Sequence, residues 1–188
     1  MGPTVVYRTA VSRVLGVAAV VLAVFALAYF AATGGVREVL RSGPLVVLGA
    51  IVAWVAFGLP HVTVSDGGVT VRNVLRTVHV PWPTFAGADS TWSLTVRTTR
   101  GDIGSWAIPA ASGFAARTSR DVAGQAERGV NANTVALAIG ERHRALVEGG
   151  FLGRATVQEV ELERSWNTGS VLALAAGAAA AVVGVLAG

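Results

Sequence analysis

The chain has no cysteine and no lysine. Without thiols there is no disulfide framework, no thiol nucleophile and no cysteine-ligated zinc or iron–sulfur cluster. Without lysine there is neither a Schiff-base amine nor a phosphate loop of the Walker type. Charge itself is scarce: 14% of the 188 residues are charged and 53% are apolar, where a soluble domain carries about 25% charged residues. The mean hydropathy of +0.59 is correspondingly too high for an ordinary water-soluble domain. The three histidines, His61, His79 and His143, fall in no metal-ligand spacing, and no nucleophile elbow accompanies them. No cofactor, metal site or catalytic residue is expected, and the chain reads as a non-enzyme.

What is present is apolar sequence in three blocks. Val14–Thr33 is an uncharged run about 30 Å long as a helix, the thickness of a bilayer core. Pro44–Leu59 is a shorter run of about 24 Å that Pro60 extends. Val171–Gly188 is a third, Ala-rich run of about 27 Å. The expected organisation is a two-span hairpin within 1–60 (spans 14–33 and 44–60), a folded segment 61–150, a linker 151–169 and a third transmembrane helix 170–188. The first block is too long for a signal-peptide core, and a second span follows it closely. Gly34–Gly43 is expected to be the loop between the first two spans.

Ser170, Gly177 and Gly184 recur every seven residues in the third block. Small residues at that spacing let two helix backbones approach closely. The seam serves either packing against the first two spans or an oligomer contact.

Three spans put the N-terminus and 61–169 on one side. That side has Arg8, Arg13, Arg72, Arg76, Arg154 and Arg164 near the span ends, against Arg37 and Arg41 on the other. The positive-inside bias then makes the large segment cytoplasmic and the chain a multi-pass protein of the inner membrane. Trp54, Phe57 and Trp166 suit the bilayer interface. The pI near 10.9 is no nucleic-acid footprint. Eleven arginines in 61–169 are offset by ten acidic residues, and no nucleic-acid partner is expected.

The middle segment changes period. His61–Ser65 alternates, Asp66-Gly67-Gly68 turns, and Val69–Val74 alternates again, a β-hairpin pattern. Thr77–Val80, Trp92–Thr99 and Ile103–Ile108 add short strands, with Trp92, Leu94 and Val96 on one face. Gly113–Gly129 has no period and reads as loop. From the Asn131–Thr134 cap cluster, Val135, Ala138, Ile139, Arg142 and Leu146 follow at helical spacing up to Gly149-Gly150. Within Phe151–Trp166, alternation of Glu159, Glu161 and Glu163 favours a strand.

The run from Val62 to Gly87, with Gly68-Val69, Arg72-Asn73, Leu75-Arg76 and Val80-Pro81-Trp82, resembles the bacterial pleckstrin-homology (PH)-like domains. Closest are those of the low-molecular-weight protein antigen PH domain family. The resemblance covers Val62 to Glu148 and implies a curled antiparallel sheet or barrel capped by one helix. Similar proteins often carry two preceding spans; the third span and the insertion at 110–130 depart from them. The expected fold class is thus three transmembrane helices plus an α+β PH-like domain.

The resemblance implies no catalytic residues. The role it implies is undefined; the role expected here is an interaction or scaffold module at the inner membrane surface, because an exposed edge of a curled sheet suits strand addition, with a membrane or cytoplasmic protein, or a second copy of the chain, as partner. The alternative is recognition of anionic lipid headgroups. Arg72, Arg76, Arg97 and Arg100 are the candidate contacts, because guanidinium groups bind phosphates in a bidentate manner. Trp82, between two prolines, is either a core residue or an exposed lipid or partner contact.

Overall fold

The computed structural model describes residues 2–109, 130–152 and 161–187. The expected loop Gly113–Gly129, the bulk of the 110–130 insertion, and Val157, Glu159 and Val160 lie outside the described residues. The chain divides into two compact units. One is Met1–Ala10 with Pro60–Ser165, and the other is Val11–Leu59 with Trp166–Gly188.

The first unit is built from two antiparallel sheets and a helix. The larger sheet runs β1 (Val5–Tyr7), β2 (His61–Ser65), β3 (Gly68–Arg72), β4 (Arg76–Pro81) and β8 (Glu163–Trp166), in that spatial order. The smaller runs β5 (Phe85–Asp89), β6 (Ser93–Thr98) and β7 (Ile103–Pro109). The alternation seen in the sequence sets their inner faces. Val62, Val64, Val69, Val71, Val78 and Val80 are buried from one sheet, and Leu94, Val96, Ile103 and Ile108 from the other. Each such side chain contributes about 1.5–3 kcal/mol by leaving water. The helix α2 (Ala132–Glu148) closes this core with Val135, Ile139 and Leu146. Asn131 caps it, its Oδ1 accepting from the Thr134 amide at 2.9 Å.

Chain order within the larger sheet has one unusual consequence. β1 pairs with β2 in the register Val5↔Val64, Val6↔Thr63, Tyr7↔Val62, although 53 residues of sequence separate Tyr7 from His61. The apolar hairpin is therefore inserted between two hydrogen-bonded neighbouring strands.

The second unit contains two helical elements long and apolar enough to cross a membrane, Ala10–Gly58 and Thr168–Leu186, where three were expected. The first comprises α1 (Ala10–Ala53) and a closing π-helical turn, Trp54–Gly58. The expected loop Gly34–Gly43 is helical except at Gly35, which breaks the helix with φ 63° and ψ −161°. Helix resumes at once because Arg37, Glu38 and Arg41 are good helix formers, and Ser42 Oγ donates to Glu38 Oε1 at 2.6 Å one turn away. Pro44 consequently sits inside a helix and does not start one. The two arms run back along each other: Gly43 packs on Leu27 and Gly16 on Gly58 and Trp54.

The last helix, α3 (Thr168–Ala187), lies against the second arm. A Cβ on Gly177 would meet Ile51 Cδ1 and Leu48 Cδ1 at 3.1 and 3.2 Å. One on Gly184 would meet Pro44 Cγ at 3.0 Å and the carbonyl oxygens of Arg41 and Leu40 at 3.1 and 3.2 Å. Ser170, on the same face, is 3% exposed. Gly177 and Gly184 thus pack against the second arm.

Two stability predictions follow from close approaches. Gly68 has φ 150°, and a Cβ there would stand 2.2 Å from Val80 O. Gly68→Ala should cost more than about 2 kcal/mol, read as a lowered unfolding midpoint in detergent. In the helical unit, Gly184→Ala should destabilise more than Gly177→Ala, by about 1–3 kcal/mol. Side-chain ends of Leu48 and Ile51 can move aside, whereas the carbonyls facing Gly184 belong to the helix backbone. Equal thermal midpoints for the two variants would contradict this.

Candidate functional site

The chain leaves the β-domain just after Arg8 and returns at Pro60, and polar residues collect at that end of the larger sheet. His61 opens β2 and pairs across with Arg72 at the end of β3, which in turn pairs with Thr77 at the start of β4. Arg8 follows β1, and its Nη2 lies 3.1 Å from His61 Nδ1. A guanidinium has no acceptor, so Arg8 donates and the His61 proton resides on Nε2. The result is a row of Arg8, His61 and Arg72 across three strands.

This row is under-satisfied. The Nε atoms of Arg8 and Arg72 are shielded from solvent with no hydrogen-bond partner among the described residues. Neither residue has a carboxylate in salt-bridge reach among them; the ion pairs present are Arg97–Asp89 and Arg142–Asp66. A shielded N–H without an acceptor is costly, and an oxyanion relieves that cost with a charge-assisted bond.

The four arginines singled out in the sequence are not equivalent. Arg72 and Arg76 flank the β3–β4 turn, Arg72 half-buried and Arg76 exposed. Arg97, on β6, is engaged by Asp89 on β5, which also accepts from the Thr91 amide and hydroxyl. The Thr91 bonds, more than Arg97, hold the Asp89 carboxyl below its usual range. Arg100 is exposed in the β6–β7 turn.

Trp82 is core. It is 1% exposed, and its Nε1 donates to Ser65 O at 3.0 Å. Its ring packs edge-on against Phe85 at 5.5 Å and beside His143 of α2 at 5.6 Å. The exposed-contact alternative fails because the Trp82–Thr84 turn carries the chain from one sheet to the other through the interior. The exposed indoles are elsewhere. Trp92, expected on the buried face with Leu94 and Val96, is 89% exposed. The Asp89–Thr91 bonds make a turn of these residues, and β6 begins only at Ser93.

Asn73 was not read as a site residue, yet it joins the two sheets. Its Nδ2 donates to Gly104 O and its Oδ1 accepts from the Trp106 amide, both at 2.8 Å. The carboxamide thereby acts as a strand residue along the outer edge of β7. No sequence signal marks it beyond its position at the end of an alternating run. Arg8 could have been found only by recognising Val5–Tyr7 as a strand.

On the other side of the core, Arg142 of α2 ties down two segments. Its Nη2 lies 2.7 Å from Asp66 Oδ1 in the β2–β3 turn and donates to Gly2 O. Tyr7 has its hydroxyl pKa raised by burial and by Glu141, with Arg142 opposing.

Two antiparallel sheets with one helix, α2, closing their shared core fit the PH-like fold that the sequence resemblance implies. Residues 59–121 match the sequence model of the family described as Bacterial PH domain, so the chain carries a bacterial PH-like domain. The match takes in β2 to β7 and ends before α2. No curated protein and no solved structure matches the chain.

Burial between Trp82 and Phe85 lowers the His143 pKa. The unfolded chain then binds a proton that the folded packing resists. Stability from this contact is complete above the ordinary imidazole pKa of about 6.5 and is lost as pH falls through the lower folded value. Chemical denaturation near pH 7.5 and pH 5 should show a larger loss for the wild type than for His143→Leu. An equal loss in both would assign the acid sensitivity to other groups.

Proposed function

We propose that this protein is a non-catalytic, membrane-anchored interaction module whose PH-like domain meets protein partners at the bilayer surface. The observation that carries the reading is the β1–β2 pairing on either side of the apolar hairpin. Residues held in one sheet share one side of any bilayer, so the inserted segment crosses an even number of times. The break at Gly35 and the folding-back of the two arms fit two crossings. The arms, of about 37 and 34 Å, are each long enough to span. Almost none of the most apolar stretch of this element is buried in the protein, unlike the core helix of a soluble domain. With α3 as a third crossing, the arginine distribution favours a cytoplasmic β-domain.

Partner binding by strand addition suits the outer strands of the larger sheet, β1 and β8. β8 is exposed throughout, and β1 exposes Val5 and Val6. A specific observation supports a second reading, recognition of an anionic lipid headgroup: the Nε groups of Arg8 and Arg72, shielded and without a partner among the described residues. Native mass spectrometry of the intact protein, extracted in mild detergent from its own membrane, separates the two. A stoichiometric second protein, retained in Arg8→Gln/Arg72→Gln, is the result expected for the interaction module. A bare monomer carrying anionic phospholipid, lost in that double variant, would put headgroup recognition in its place.

A further inference from the structure

The stretch that precedes the helical insert is held largely through its backbone. Residues 2–7 run along the edge of β2, with the strand pairs Val5↔Val64, Val6↔Thr63 and Tyr7↔Val62. Two further steps in the same register bring Pro3 opposite Asp66 of the β2–β3 turn. There Arg142 of α2, ion-paired with Asp66, donates to Gly2 O and lies 3.4 Å from Pro3 O. A guanidinium that donates to main-chain carbonyls holds an extended chain whatever its side chains are. Both valines of β1 are exposed, Val5 at 39% and Val6 at 53%.

Two positions do select. A Cβ at Gly2 would collide with the Arg142 guanidinium, which Asp66 keeps from moving aside. Tyr7 packs at the margin of the core, and burial, together with Glu141 of α2, raises the pKa of its hydroxyl. That place therefore takes an uncharged aromatic ring. The receiving parts are held independently of the segment: β2 pairs with β3 over five residues, and α2 is fixed by Val135, Ile139 and Leu146. β1 by contrast has three pairs and closes a loop of 53 residues, whose entropy works against it.

We infer that the edge of β2, together with Arg142 of α2, is a peptide-docking site, and that residues 2–8 are its resident occupant, displaced when a partner strand enters. The partner is an extended segment of another protein, antiparallel to β2, with glycine under Arg142 and an aromatic ring five residues further on. Such a strand joins the sheet through its main chain, and the glycine and the ring give selectivity. The site rests on the interaction-module reading above and specifies where and how that partner docks. Every contact it uses lies within the β-domain.

The absence of cysteine makes the test direct, since one introduced thiol is the only one. The full chain with Thr63→Cys, in mild detergent, is incubated in a glutathione redox buffer with the peptide Gly-Pro-Thr-Val-Cys-Tyr-Arg, whose thiol stands where Val6 does. Paired Cα atoms lie about 4.5–5.5 Å apart, within disulfide reach. In the otherwise unaltered chain the tethered strand competes, and trapping of the peptide is low. Val5→Pro/Val6→Pro should raise trapping several-fold, because one of any two adjacent strand amides faces the neighbouring strand and proline has none. Tyr7→Ala, a milder loosening, should raise it less. In the double-proline background, Arg142→Gln, or a peptide beginning with valine in place of glycine, should lower trapping several-fold. Trapping unchanged by the prolines and by Tyr7→Ala, or equal for the valine peptide, overturns the docking site. Trapping at Val6→Cys with Thr63→Cys silent in every background would mean addition outside β1, which overturns displacement and spares the partner reading. Silence at both positions overturns both on this side of the sheet. A disulfide between Thr63→Cys and Val6→Cys chains mixed without peptide would make a second copy the occupant and overturn the separate partner.

Discussion

Three backbone pairs between β1 and β2 constrain everything else in this chain. They close a loop of 53 residues, and closure of that length costs about 3–4 kcal/mol in chain entropy beyond a constant term. A three-residue edge strand does not recover that by itself. The hairpin does much of the work in advance. Its arms fold back at Gly35 and bring Gly16 against Gly58, so the ends of the loop are already near each other before β1 pairs. Side chains then hold β1 in place. Arg8 donates to His61, Tyr7 packs at the margin of the core, and Arg142 reaches Gly2 from α2. The hairpin is thus an insertion between β1 and β2, and the N-terminal strand belongs to the β-domain.

Within the β-domain the two sheets are joined at two points of different character. One is apolar and internal: Trp82 fills the crossing, satisfies its indole N–H on Ser65 O, and receives Phe85 and His143. The other is polar and peripheral, where Asn73 takes up one donor and one acceptor along β7. A backbone edge left open would invite pairing with another chain. At Gly104 and Trp106 that edge is covered from within; the outer strands of the larger sheet are β1 and β8.

Elements with a strong local signal were legible in the sequence. β2, β3, β4 and the inner faces of β6 and β7 follow from period-two alternation, and α2 from Asn131 and its 3.6-residue spacing. What was missed lacked such a signal. β5 reads Phe-Ala-Gly-Ala-Asp, poor in β-formers and bulged between Phe85 and Gly87, and exists through its pairing with β6. β1 is three residues that merge into an apolar run. The continuation of helix through 36–43 reflects the local pairing of Glu38 with Ser42, which outweighs the expectation that Pro44 begins a helix. At the candidate site the basic residues were legible but their partners were not. Asp89 removes Arg97 from the group, and His61 and Arg8 join it only through a pairing distant in sequence.

That redistribution of charge bears on function. A cluster of four arginines would suggest a diffuse basic patch, whose attraction to an anionic surface is about 1 kcal/mol per residue. Arg97 instead spends its charge on Asp89, in an exposed pair of little energetic weight. Arg8 and Arg72 meet no carboxylate among the described residues, and with part of each guanidinium shielded from water the field of that charge is less screened. Arg8 follows β1, through which the chain leaves for the apolar helices, and Arg72 pairs across with His61 of β2, through which it returns. Sheet pairing, chain connectivity and unneutralised charge therefore coincide at one end of the domain, and the opposite end has the neutralised Asp66–Arg142 pair.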